Sequence, residues 1–231
     1  MKIFFVNEFF PDEHIKILEN YGRCVKLPVS SAVPLPVGAH PDTLVGKIDD
    51  ALYVCKDDAA IAQTLRKSGA NVRLSEHKSG PKYPLDCALN FFTVKNFIVG
   101  KLDTMSSAAL CDAMKAGYEP INVNQGYAHC ACAVIGDGVI TADKGIYDAL
   151  LARGVPSLII ESGDILLPPY SYGFIGGAQG AVDEKTVFFF GDVSKHKSGD
   201  AIAEFCRSRG VSVINGGGKL TDYGGFVSVD I

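Results

Sequence analysis

A thiol beside an imidazole is the pairing in this sequence best suited to covalent chemistry. Tyr127-Ala128-His129-Cys130 supplies it. An adjacent histidine lowers a cysteine pKa, and the thiolate is the strong nucleophile at neutral pH. Four further short stretches of small and polar residues recur along the chain: His40-Pro41-Asp42, Tyr83-Pro84-Leu85-Asp86, Tyr172-Gly173-Phe174 and Asp222-Tyr223-Gly224-Gly225. If the five converge, they bring together carboxylates (Asp42, Asp86), two histidines (His40, His129) and the Cys130 thiol. Asn90, Tyr127, Glu161 and Asp164 are the remaining candidate ligand-binding residues.

Other readings of these residues stay open. His40-Pro41-Asp42 also reads as a turn, with Pro fixing the backbone and Asp capping it. Cys130 and Cys132 read equally as small core fillers on one strand face. Glu161 and Asp164 flank a turn glycine, and Gly173, Gly176 and Gly177 suit close packing. Cys87 and Cys111 read as core cysteines; His14, His77 and His196 read as surface residues. A metal centre is a poor reading of His129, Cys130 and Cys132, because neighbours on a strand point to opposite faces. No cofactor is expected either.

The elements that must position these residues repeat. Helical spacing runs into a glycine stop at Pro11–Gly22, Asp57–Gly69, Ser106–Gly117, Lys144–Gly154 and Ser198–Gly210. Asp12, Asp57, Ser106 and Asp143 suit the N-caps. Each helix leads to an extended run: Cys24–Val29, Asn71–Glu76, Pro120–Asn124, Pro156–Glu161 and Val211–Asn215. A small-residue stretch follows, and then an apolar hairpin. Hairpin centres at 48, 95, 137 and 184 are separated by 47, 42 and 47 residues, and 231 residues over five gives about 46. Periods of this size mark repeat architectures. The last unit is split, with Tyr223–Ile231 expected to pair with Met1–Val6. The expected fold is therefore α/β: one domain over 1–231, a five-bladed α/β-propeller of ββαβ-type units closed by its terminal strands.

Composition bounds the function. The chain has 231 residues, 47% apolar and 21% charged, with a net charge of −4. A mildly acidic balance disfavours a nucleic-acid surface, and no apolar run reaches the ~18 residues of a membrane helix. Seven cysteines without a secretion signal or C-x-x-C spacing suit a reduced, cytoplasmic protein. No nucleic-acid or membrane partner is expected, and the sequence leaves the oligomeric state open.

A five-unit ring is the architecture of the pentein, or guanidine-group-modifying enzyme, superfamily, which the whole chain resembles. Leu158–Leu166, containing Glu161-Ser162-Gly163-Asp164, resembles an acidic Gly-Asp strand start of dimethylarginine hydrolases. Val187–His196 is similar to their strand leading into a helix. His40-Pro41-Asp42, Asp86 with Asn90, Gln125-Gly126-Tyr127 with Cys130, and Gly173–Gly177 resemble a small uncharacterised bacterial branch of the fold. The resemblance implies a channel in which carboxylates grip a guanidinium, a cysteine attacks its carbon and a histidine moves protons. The chain departs from that pattern: the last unit, Leu220–Ser228, contains no cysteine, and Ser171–Ala178 contains no histidine. Two functions follow. One is a non-catalytic ring binding a small cationic, guanidino-type metabolite or a macromolecular partner through its channel, in line with the superfamily's ribosome anti-association factor, which the chain resembles in being a small bare ring without the catalytic cysteine. The other is a hydrolase or transferase acting on a guanidino compound, with Cys130 as nucleophile, His40 or His129 shuttling protons, and Asp42, Asp86 and Glu161 holding the cation.

Overall fold

The computed structural model describes all 231 residues as fifteen strands in five three-stranded sheets, with six α-helices. In chain order the first sheet holds β1 (Lys2–Val6) and β2 (Arg23–Lys26), joined through α1 (Asp12–Leu18). A single-turn helix, α2 (Pro41–Leu44), leads into β3 (Gly46–Ile48), β4 (Ala51–Cys55), α3 (Ala59–Lys67) and β5 (Asn71–Ser75). The third unit is β6 (Phe92–Val94), β7 (Phe97–Gly100), α4 (Ser107–Lys115) and β8 (Glu119–Asn122). The fourth is β9 (Cys132–Ile135), β10 (Gly138–Thr141), α5 (Lys144–Leu151) and β11 (Ser157–Ile159). The fifth is β12 (Gln179–Asp183), β13 (Thr186–Phe189), α6 (Gly199–Ser208) and β14 (Ser212–Asn215), and β15 (Val227–Asp230) ends the chain.

Every sheet has the same plan: an antiparallel hairpin whose second strand pairs in parallel with a third, reached through a helix. The first sheet makes its hairpin from the two chain ends, with β15 antiparallel to β1 from Lys2↔Asp230 to Phe5↔Val227. The pairing is shorter than the expected Tyr223–Ile231. Gly224 and Gly225 take φ values of +77° and +65°, which turn the chain before the strand begins. The central strands are buried on both faces, as in β4 and β10. That is why their sequences are continuous apolar runs rather than alternating ones.

Helix starts match in part. Ser106 and Asp143 cap α4 and α5 by accepting from Ala109 N and Ile146 N. Asp12 instead lies inside the first turn of α1, and Asp57 accepts from Ser79 N rather than from its helix. Three isolated predictions are corrected. Cys111 is exposed, because α4 turns that position to solvent. His14 is buried against Phe10 and Phe188. His196 is also buried, its Nδ1 accepting from Ser198 N.

Candidate functional site

The segments that precede the first strands of successive sheets meet around Cys130. The 127–132 segment is a turn, with Ala131 N bonded to Tyr127 O and Cys132 N to His129 O, and β9 begins only at Cys132. The two thiols therefore do not share a strand face as the spacing suggested. Cys130 lines one cavity and Cys132 another.

Asn90 fixes the thiol. Its Nδ2 donates to Cys130 Sγ at 2.9 Å and to Asp42 O at 3.0 Å. Its Oδ1 accepts from His129 N at 2.7 Å and Cys130 N at 3.1 Å. One buried amide thus ties three segments to one sulfur, using its full donor and acceptor capacity. Thr43 Oγ1 lies 4.0 Å from Sγ and donates to Asp42 Oδ1 at 3.2 Å. His40-Pro41-Asp42 opens α2, with Pro41 in its first turn, and Asp42 N donates to Gly224 O.

Asp222, absent from the sequence-derived site, completes the cluster. Its oxygens accept from Phe174 N at 2.8 Å and Gly224 N at 2.9 Å. His40 Nδ1 lies 3.6 Å from Asp222 Oδ1 and 4.0 Å from Asp42 Oδ1. The glycines around it are packing glycines: a Cβ on Gly177 would fall 1.9 Å from Asp222 Oδ1, and one on Gly224 would fall 2.4 Å from His40 Cβ. The sequence signal was available, since Asp222-Tyr223-Gly224-Gly225 occupies the same place in its unit as His40-Pro41-Asp42 in its own.

Electrostatics follow from burial. Burial first, then the charge of Asp42, pushes the Asp222 carboxyl up to about 7, against the pull of its two backbone N–H bonds. Burial raises the Cys130 thiol well above its ordinary value; Asp42 and Asp222 raise it further, while the Asn90 bond opposes them. His40 is lowered by burial, with Asp42 opposing, so its imidazole is neutral at pH 7. The site therefore rests with a protonated thiol beside carboxylates and a neutral proton acceptor.

A cavity of about 360 Å³ opens onto this group. His40, Thr43, Asp86, Cys130 and Asp222 supply its chemistry, and Tyr127, Tyr170, Tyr172 and Phe174 its aromatic walls. Tyr127 Oη donates to Asp86 Oδ2 at 2.7 Å. The cavity volume lies within the range of about 300–1,000 Å³ usual for small-molecule sites.

Of the candidate site residues, Glu161, Asp164 and His129 lie away from this cavity. Glu161 borders a separate pocket of about 180 Å³ beyond Tyr172 and Phe174. Asp164 accepts from Lys197 N on the outside of the fold. His129 gives its backbone N–H to Asn90, while the residue borders a third cavity, of about 290 Å³, that Cys130 does not line. In each case the reason is local turning of the chain: residues 161–164 form a bend, and the 127–132 turn sends consecutive residues to different sides. Asp42 lies beside the thiol without lining the cavity, and His40 lines it directly.

His40, Asp42 and Asp222 each offer one ligand atom, all within 4.8 Å of one another, and are the one trio that could hold a metal ion. Both Asp222 oxygens already accept backbone N–H groups, which suits a fixed carboxylate facing a cationic ligand as well as it suits a metal.

The sequence profile of a family of unknown function (DUF6873) matches residues 5–227. No curated protein matches the chain. Among solved structures, the chain is similar to SxtG, an amidinotransferase from Microseira wollei in the saxitoxin biosynthetic pathway. The TM-score is 0.55 at 12% identity, covering 88% of this chain and 72% of the other. At that identity the similarity shows the fold, an amidinotransferase-like α/β architecture. No helix is long and apolar enough to cross a membrane.

Proposed function

We propose that this chain, which belongs to the DUF6873 family, binds a small guanidino-type cation in the Cys130 cavity and attacks its central carbon with the Cys130 thiol. The observation that carries the reading is one sulfur held by Asn90 at 2.9 Å and facing a cavity with the carboxylates of Asp86 and Asp222. Likeness to an amidinotransferase fold supports it. In the same reading the five sheets are blades of a closed ring, with the cavity at one mouth of its channel.

The electrostatics give the reaction an order. A bound cation offsets the carboxylates that hold the thiol up, so the thiol acidifies when substrate arrives. Its proton passes to Asp42 or His40 as the S–C bond forms. The tetrahedral carbon then breaks one C–N bond, and the leaving nitrogen takes that proton and departs as ammonia or an amine. The amidino group stays on sulfur. Water or an acceptor amine attacks it, the S–C bond breaks, and the thiol is restored.

The second reading is binding without turnover, favoured by the thiol's raised pKa in the free protein. The experiment is incubation with a panel of alkylguanidines, followed by intact-mass analysis, product assay and iodoacetamide labelling at pH 7. Covalent turnover predicts an amidino adduct on Cys130, labelling of Cys130 slowed by ligand, and loss of product but not binding in Cys130→Ala. Thermal shifts without adduct or product would leave the binding ring. Neither shift nor product would overturn the guanidino reading.

A further inference from the structure

The Cys130 cavity carries a second, unused acceptor. Asp86 Oδ2 accepts from Tyr127, but Asp86 Oδ1 is buried without a partner, in a residue only 7% exposed that lines the cavity. An unpaired carboxylate oxygen removed from water is unfavourable unless something donates to it. Asp86 sits apart from the Asp42–Asp222–His40 group: its bond is to Tyr127, and neither Asp42 nor His40 contacts it. The cavity thus has two anionic stations, one beside the thiol and one at Asp86.

None of the cavity's lining residues is Lys or Arg. A substrate carboxylate placed there would face carboxylates and aromatic rings with no cation to pair with, and burying an unpaired charge is strongly unfavourable. The cavity is also lined by Tyr127, Tyr170, Tyr172 and Phe174, and aromatic side chains attract cations and can cover an alkyl chain.

We infer that the substrate is a dication lacking a carboxylate: a guanidino head at Cys130 and a second amino or guanidino group at Asp86, joined by a short apolar chain. This rests on the proposed guanidino reading and names the class of its substrate. Reactions that decarboxylate basic amino acids, or that amidinate diamines, are the class that supplies such molecules.

The test compares four ligands with the same head group by calorimetry on the intact protein: 4-guanidinobutylamine, butylguanidine, 4-guanidinobutanoate and arginine. The dication should bind about tenfold or more tighter than butylguanidine, as a charge-assisted hydrogen bond implies. Both carboxylates should bind weaker than butylguanidine. Asp86→Asn should remove the preference for the dication, so that it and butylguanidine bind the variant within about threefold of each other, a difference of under 1 kcal/mol. If the variant does not fold, the wild-type ranking decides alone. Arginine equal to or tighter than the dication overturns the inference while the guanidino reading stands. No binding by any of the four overturns the guanidino reading itself.

Discussion

At the scale of single residues, the site is a problem in placing negative charge. Asp42 and Asp222 both approach Nδ1 of His40, both almost fully buried, and Asp222 is pushed up to about 7 by its burial and then by Asp42. An acid with a folded pKa above its unfolded value of about 3.9 binds a proton in the native state that the unfolded state has released. Stability from this group is therefore greatest near pH 4 and falls as pH rises to about 7. Asp42→Asn removes the like charge but not the burial. The Asp222 titration should then move down without reaching the ordinary carboxylate value, and the loss of stability between pH 4 and 7 should become shallower. Carboxyl NMR titration and urea melts across that range measure both. An unmoved Asp222 titration would show that the two carboxylates do not interact. Much of this cluster was legible in the sequence: Cys130, His40, Asp42 and Asp86 lie in stretches at matching places in their units, and Asn90 came from the family resemblance. Asp222 stands in the fifth such stretch, but no local pattern singles it out as a site residue. Gly173 and Gly177 leave room for its carboxylate and Gly224 leaves room for His40, roles that appear only once distant segments pack.

At the scale of elements, the repeat was readable because each unit obeys the same local chemistry: a glycine after the helix and a tight turn in the hairpin. What the sequence left out were the ties between units, which depend on contacts with no local period. Glu76, just after β5, is one of them. Its carboxylate accepts from Ser107 N and Ser107 Oγ and from Ser106 Oγ at the start of α4, so the end of the second sheet's last strand caps the third unit's helix. Burial pushes Glu76 up, but the bonds from Ser107 and Ser106 outweigh it and hold the group at about 2. A carboxyl depressed in the folded state adds stability above its unfolded pKa of about 4.3, and that stability is lost as pH falls toward 2. Glu76→Gln should cost about 0.5–2 kcal/mol at pH 7, the range for a lost helix cap. The difference from wild type should close as both are melted at successively lower pH down to about 2. A penalty that stays constant with pH would mean that shape, and not charge, makes the tie.

At the scale of the whole molecule, the first sheet is made from both ends of the chain. β15 pairs with β1 over four residues, and Val227 and Val229 are buried in the same core cluster as Ile3 and Phe5. The Met1 ammonium donates to Ile231 O, so the two ends touch. A strand that supplies half a hairpin and two core side chains is not a tail. Removing residues 227–231 deletes a ladder and opens a cavity in a cluster that also holds Leu52 and Val54, where large-to-small losses cost about 2–5 kcal/mol each. Against a typical total of 5–15 kcal/mol, the truncated chain should lose its cooperative melt and not merely melt a few degrees lower. The opposite manipulation separates closure from mere length. A permutant that links Ile231 to Met1 through a short Gly/Ser bridge and opens the chain at Gly136–Asp137, in the β9–β10 turn, keeps every strand pair. Such a permutant should fold with a melting temperature within a few degrees of wild type and label at Cys130 at the same rate, because the first sheet becomes continuous while the interrupted one is reclosed by its own hairpin pairing. A permutant that fails to fold while a control opened in an exposed loop of the same sheet succeeds would show that the β9–β10 turn, and not the terminal pairing, organises the fold.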